Sequence, residues 1–354
     1  MERHDPSPLA VLTVGGSALM APDSSGSHRE QVRASRRVAR CIITLIQEGY
    51  RVVVVHGNGP QVGLELMRNE EASSKAPPRP LDLCVAASQG TIGELLCREI
   101  RNLLRREQID REVLSVHTQV LVSREDPAFE DSKMVGPLLS EWRARELAKT
   151  TKWRFVQDSG RGWRRVVPSP KPVDVLGIEA IAPLVEAGVV LLAGGGGGVP
   201  LAVDAKGEFV GVEAVIDKDL TAALIADQLA AEMLILLMEV DNLYTHYGRP
   251  EQEALEHVSA DELRALADQG HFPAESVGPK VEAALQFVHS GGQTAVITSA
   301  EKLAQALADR GGTRLSLRTR TTGVRHQLPL FDAEAALPLF EADAGAPDGA
   351  LGDP

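Results

Sequence analysis

The sequence predicts an α/β protein with an open, mainly parallel sheet, helices on both faces and an inserted lobe. Three observations carry this. Short apolar runs ending in glycine alternate with helix-period stretches along most of the chain, the pattern of a sheet wound with helices. The run Val52-Val53-Val54-Val55 is apolar at every position, which suits a strand covered on both faces. Between Ser123 and Pro172 the alternation stops, in a stretch rich in Pro, Asp, Arg and Lys.

The elements follow in order. Val11 to Val14 reads as a strand ending at Gly15-Gly16, followed by a helical stretch with Val32, Val38, Ile42, Leu45 and Ile46 near one face. The valine strand breaks into His56-Gly57-Asn58-Gly59-Pro60. There Gly57 and Gly59 let backbone amides approach a ligand, and Pro60 fits the first turn of a helix whose amino end attracts anions. A tight strand-to-helix turn carries glycines for steric reasons just as readily, so this loop alone leaves both readings open. A long helix is expected near Val85 to Arg106, then one strand over Val113 to Val122. The later half predicts a helix over Ile178 to Glu186, a strand over Val189 to Ala193, five glycines, a helix after Asp219 and a strand from Met233 to Leu237. A helix after Pro279, a strand over Thr294 to Ile297 and a helix over Lys302 to Ala308 close the pattern. Ligands of such a sheet sit at the carboxyl ends of its strands.

The segment from Ser123 to Pro172 holds a short helix near Glu141 to Lys149 and reads as a lid or substrate-binding lobe, with a plain surface excursion as the alternative. Past Leu317 the alternation is lost, and after Phe340 Ala, Gly, Asp and Pro dominate, so a poorly ordered tail is expected.

Composition narrows the function classes. The 354 residues are 44% hydrophobic with a net charge of −12 and scattered positive residues, so no broad nucleic-acid or anionic-membrane surface is expected. No apolar run approaches the roughly 20 residues of a membrane span. The start, Met1-Glu2-Arg3-His4-Asp5-Pro6, has no apolar signal-peptide core, and the expected location is the cytoplasm. Cys41, Cys84 and Cys97 lack paired spacing, which argues for reduced, packed thiols and against a structural metal.

Glycine loops and isolated lysines carry the chemistry. Gly15-Gly16-Ser17, Gly57-Asn58-Gly59 and Gly194 to Gly198 all follow strands, and three such turns suggest a polyanion site built from backbone amides. Five adjacent glycines carry an entropic cost that a plain turn does not require. Neither a P-loop nor the spaced dinucleotide fingerprint is present. Lys218 and Lys280 each precede or open a helix, where a cation opposes the helix dipole unless an anion shares that end. The phosphates of ATP would do so, and salt bridges with Asp217, Asp219 or Glu282 are the alternative. Lys133 is the best candidate of the inserted segment, although its sequence context alone does not single it out. No Ser-His-Asp order or metal-spaced histidine pair emerges from the nine histidines. His56 could contact a ligand or be a packing residue. Phosphoryl transfer to an already ionised acid needs no general base, only positioning and charge neutralisation by lysines, amides and Mg²⁺.

The chain resembles carbamate kinase, of the amino-acid-kinase superfamily, over roughly Leu9 to Leu315. The motifs run in order: Gly15-Gly16-Ser17-Ala18-Leu19, His56 to Gly63, Pro80-Leu81-Asp82, Ser88-Gln89-Gly90, Asp126-Pro127-Ala128-Phe129, Gly160 to Pro170, the glycine run, Glu213 to Asp219 and Gly278-Pro279-Lys280-Val281. The resemblance implies a three-layer αβα sandwich and a homodimer that moves a phosphoryl group between ATP and carbamate. It implies a domain over 1–317, with a body of 9–122 (acceptor side) and 173–317 (nucleotide side), a protruding lobe of 123–172, and an extension over 318–354. Lys133, Lys218 and Lys280 would neutralise the transferring group. Gly15, Gly16, Ser17, Gly57, Asn58, Gly59 and Arg161 would bind the acid substrate. Gly194, Gly195, Gly196, Asp217, Asp219, Glu239 and Tyr244 would serve ATP or ADP with Mg²⁺, and no protein metal site is implied.

This chain departs from the family pattern at Ser17, Met134, Met238 and Glu239, beside the acceptor or the nucleotide. A kinase of another small carboxylate or phosphonate, or a non-catalytic nucleotide-binding relative, are therefore the alternative readings. In the tail, Gln327-Leu328-Pro329-Leu330-Phe331 is similar to the short peptide by which bacterial proteins bind the DNA polymerase sliding clamp, and reads alternatively as a segment packing Leu330 and Phe331 on the body.

Overall fold

Successive residues of the strand Leu9–Val14 enter two different cores, and this alternation sets the architecture. Leu9 and Val11 join one core with Val53, Val55, Leu234 and Leu236, while Ala10, Leu12 and Val14 join the other with Val52, Val54 and Ile235. A strand whose two faces are both covered has no solvent side, which is why the valine run is unbroken. The computed structural model describes residues 7–21, 24, 26–129, 133–151, 153–158, 160, 162–273 and 276–317. Arg161 and the tail from 318 onward, with Gln327 to Phe331, lie outside the described residues.

The central sheet has eight strands in the order His257–Ser259, Thr313–Ser316, Thr294–Ser299, Met233–Met238, Leu9–Val14, Arg51–His56, Val190–Leu192 and Val113–Ser115. Neighbours run parallel except Thr294–Ser299 with Thr313–Ser316. Helices Ile178–Glu186, Lys218–Gln228, Ala260–Asp268 and Gly278–His289 cover one face. Helices His28–Gln47, Leu81–Arg106 and Leu303–Leu307 cover the other, completing the three-layer sandwich. Cys41, Cys84 and Cys97 are buried free thiols. Among the described residues no helix is long and apolar enough to cross a membrane.

The stretch expected as one strand, Val113 to Val122, is two strands in different sheets. Val113–Ser115 edges the central sheet, while Gln119–Val122 lies in a four-stranded sheet with Phe209–Gly211, Val199–Val203 and Pro172–Val175. The break is made by the buried side chain of Gln89. Its Oε1 accepts from Thr118 N at 2.9 Å, taking up the amide a continuous strand would offer its neighbour, and its Nε2 donates to Thr118 O at 3.0 Å, an oxygen that also accepts from Val199 N at 2.9 Å. Apolar periodicity runs through the break and does not reveal it.

Between residues 133 and 167 the chain forms a three-stranded antiparallel sheet, Lys133–Leu139, Trp163–Val167 and Arg154–Gln157. Helix Glu141–Thr150 joins two of its strands, and Ser140 Oγ caps it by accepting from Arg143 N at 3.2 Å. This lobe rests on helix Gly59–Ala72 at a backbone contact, where a Cβ on Gly63 would collide with Gly136 Cα.

Candidate active site

The carboxyl ends of Met233–Met238, Leu9–Val14, Arg51–His56 and Val190–Leu192 are adjacent in a parallel sheet. The segments beginning Glu239, Gly15, Gly57 and Ala193 therefore follow one another along one edge. Two glycine turns on that edge touch. Gly57 N donates to Val14 O at 2.8 Å. A Cβ on Gly57 would stand 2.6 Å from Gly16 N and 3.1 Å from Lys218 Cδ, and one on Gly16 would stand 3.3 Å from Gly59 N. Helix Gly59–Ala72 starts here with Asn58 as N-cap and no side-chain cap on its first amides. Backbone amides, the amino end of a 14-residue helix and the stem of Lys218 thus converge where side chains would leave no room.

Two further helices aim their amino ends at the same edge, because Lys218–Gln228 and Gly278–His289 each precede a parallel strand and pack side by side. They bring together residues that the sequence separates by about sixty positions. Lys218 Nζ donates to Asp219 Oδ2 at 2.7 Å, and Lys280 Nζ donates to the same oxygen at 2.9 Å. Asp217 caps the first of these helices, Oδ1 accepting from Asp219 N at 2.8 Å. Its Oδ2 accepts from Lys133 Nζ, reaching over from the lobe, at 2.9 Å. Of the ion-pair partners that the sequence offered as the alternative, Asp219 takes both Lys218 and Lys280, whereas Glu282 pairs with Lys171.

Burial and charge set the protonation of this cluster. Burial alone would raise the Asp219 carboxyl, but the Lys218 and Lys280 ammonium groups outweigh it and hold the acid well below the usual carboxylate range. Burial likewise opposes ionisation of Asp217, and Lys133 reverses the balance. Burial disfavours the charged form of Lys218, yet Asp219 and Asp217 together raise its pKa. For Lys280 burial wins over the attraction of Asp219, and its pKa falls to about 8. Three ammonium groups against two carboxylates leave one net positive charge, and Asp219 Oδ1 is buried without a hydrogen-bond partner. An anion fits the charge and the glycine cradle together.

Other expected site residues take different positions. The Asn58 side chain, anticipated against the substrate, turns inward and donates from Nδ2 to Ser88 Oγ at 2.7 Å. Gly195 and Gly196 lie beneath the turn, where a Cβ would stand 2.5 Å from His56 Nε2 or collide with the Asn58 amide. Cβ atoms on Gly197 and Gly198 would collide with Ile216 O and Val120. The five-glycine run, with positive φ at Gly194, Gly196, Gly197 and Gly198, therefore has a packing reason that the sequence did not disclose. His56 is buried and its Nδ1 lies 3.1 Å from Gly57 O, with burial pushing its pKa down to about 4. Ser17 lies half-buried on the short helix Gly16–Leu19. Exposed Glu239 follows strand Met233–Met238 and half-buried Tyr244 lies in Leu243–Thr245; among the described residues neither is hydrogen-bonded to the lysine cluster. Ser88 and Gln89 were visible only as a motif without a role. The structure makes them supports, Gln89 Nε2 also donating to Gly195 O at 2.8 Å.

Residues 8–299 match the amino acid kinase family. The chain is 42% identical over 309 residues to the carbamate kinase of Pyrococcus horikoshii, covering 86% of this chain and 98% of that one. The chain belongs to the amino acid kinase family, among the carbamate kinases. Carbamate kinase 2 of Enterococcus faecalis is also 42% identical, over 83% of this chain and 95% of its own. The solved carbamate kinase of Giardia lamblia bound to AMP-PNP superposes with a TM-score of 0.81 at 35% identity, covering 88% of this chain and 99% of that one. The protein is accordingly a kinase, a phosphotransferase.

Proposed function

We propose that the protein moves a phosphoryl group reversibly between ATP and carbamate, so that carbamoyl phosphate and ADP yield ATP and carbamate. The observation that carries this reading is the meeting of Lys218 and Lys280 on Asp219 beside the touching turns of Gly16 and Gly57. Carbamate is already an anion, so its oxygen attacks phosphorus without losing a proton. A neutral, buried His56 agrees with chemistry that needs no base. The amides at Gly16 and Gly59 orient the acid, held in place by the Gly57 turn, and Lys133, Lys218 and Lys280 offset the charge spread over the transferring group. Asp219 keeps two of those lysines from repelling each other apart.

ATP would lie toward the strand end at Glu239 and Tyr244, with Gly194 to Gly196 below its phosphates and Asp219 serving it through Lys218 and Lys280, which it holds. Mg²⁺ bound with ATP would supply further charge neutralisation at the phosphates. Ser17 belongs to the acceptor side, and a homodimer in the cytoplasm completes the reading.

The deciding test is direct. Purified protein given carbamoyl phosphate, ADP and Mg²⁺ should form ATP in a coupled luminescence assay, and Lys218→Ala should abolish it. ATP formation absent in the wild type but phosphorylation of another small acid present would transfer the reading to that acid.

A further inference from the structure

Asp217 stands where the sequence reading places a nucleotide ligand, yet both of its oxygens are committed to protein. Oδ1 accepts from Asp219 N at 2.8 Å, closing the first turn of helix Lys218–Gln228. Oδ2 accepts from Lys133 Nζ at 2.9 Å, and Ile216 O lies 3.4 Å from the same ammonium group. The first bond orients the two residues that follow, Lys218 and Asp219. The second reaches the lobe. Lys133 begins the lobe strand Lys133–Leu139, is about one-third exposed and has no other ion pair among the described residues. Elsewhere lobe and body meet at the Gly63–Gly136 backbone contact, through Val135 and Val167 clustered with Val62 and Leu66, and through the ion pairs Arg143–Glu71 and Arg165–Glu213; among these polar contacts the Lys133–Asp217 pair is the one that reaches the lysine cluster.

We propose that Asp217 is a positioning residue that registers the lobe on the body: one carboxylate fixes the helix bearing Lys218 and, through Lys133, docks the lobe beside it. The proposal rests on the phosphoryl-transfer reading for its kinetic consequence but not for its structural one. Without a phosphate in place, Asp217 holds Lys133 at the edge of the cluster. A phosphate, carrying more charge than one carboxylate, draws Lys133 off Oδ2 while Oδ1 keeps its cap. The residue thus holds the third cation within reach until the substrate needs it, and no covalent step is involved.

The test uses the full chain with Asp217→Asn, Asp217→Glu, Lys133→Met and the double variant Asp217→Asn/Lys133→Met. Asparagine retains a capping oxygen but loses the charge that holds Lys133. Asp217→Asn should lower kcat by about tenfold to a hundredfold, and the same change made in the Lys133→Met background should cost no more than about twofold. All three tryptophans, Trp142, Trp153 and Trp163, lie within 123–172 while the three tyrosines lie outside it, so fluorescence excited selectively at tryptophan reports the lobe alone. Acrylamide quenching should increase in both single variants and no further in the double one. An equal kcat loss in both backgrounds, or quenching unchanged in Asp217→Asn, would overturn the proposal and leave Asp217 a cap or nucleotide ligand. Should Asp217→Asn fail to fold, Lys133→Met and Asp217→Glu decide: quenching must rise in the first and stay near wild type in the second. A wild type without turnover would sink the functional reading, and the quenching results would still judge this one.

Discussion

Lys218 and Lys280 meet on a single oxygen, Oδ2 of Asp219, at 2.7 and 2.9 Å. Two ammonium groups at the amino ends of neighbouring helices would oppose both dipoles and each other without that carboxylate. Asp219→Ala leaves two buried cations uncompensated, which should destabilise the fold by about 3 kcal/mol. Chemical denaturation reads the loss, and turnover in the ATP-forming assay should fall at least about a hundredfold.

The same burial gives activity an alkaline limit. Lys280 is held down to about 8 from an ordinary 10.5, so its cation disappears from the empty site as pH rises past that value. The pH profile of kcat/KM should therefore descend with an apparent pKa near 8. Lys280→Arg, permanently charged, should remove that descent even if its maximum is lower.

His56 gives stability an acid limit of opposite origin. Its folded pKa is depressed to about 4 from 6.5, so the unfolded chain binds a proton that the native one refuses between those values. Stability is present above pH 6.5 and is lost as pH falls toward 4, by about 3 kcal/mol in all. Urea midpoints at pH 7 and pH 4.5 should differ more in the wild type than in His56→Gln.

Two glycine substitutions separate the site from the lobe contact. Gly57→Ala puts a methyl 2.6 Å from Gly16 N, so the turns must part and the acid-binding amides with them. We expect KM for carbamoyl phosphate to rise about tenfold or more, since the lost contacts bind the substrate throughout. Gly63→Ala collides with Gly136 under the lobe, away from the cluster. It should lower kcat and increase tryptophan quenching while leaving the affinity for ADP, read by calorimetry, near wild type.

Local chemistry was legible where it depends on neighbours in the chain. Four valines in a row require two covered faces, and glycines after them require a close approach; both are properties of a few consecutive residues. The helix Ile178–Glu186 is legible for the same reason, as is the helix expected after Asp219, which the structure begins slightly earlier, at Lys218. The strand break at Val116 to Thr118 was not, because Gln89 makes it from 29 residues away. Nor was the glycine run, whose bulk limits come from His56, Asn58, Ile216 and Val120.

The sequence by itself determined the parallel α/β sandwich and the glycine turns, since periodicity and backbone stereochemistry are written in local order, while the grouping of the three lysines was implied by the family resemblance, Lys133 having no local context that singles it out. Only the tertiary structure decided that one aspartate serves two of those lysines while another ties the third to the body. Charges interact through space in a buried, weakly screening interior, and that space is made by folding helices that the chain itself keeps far apart.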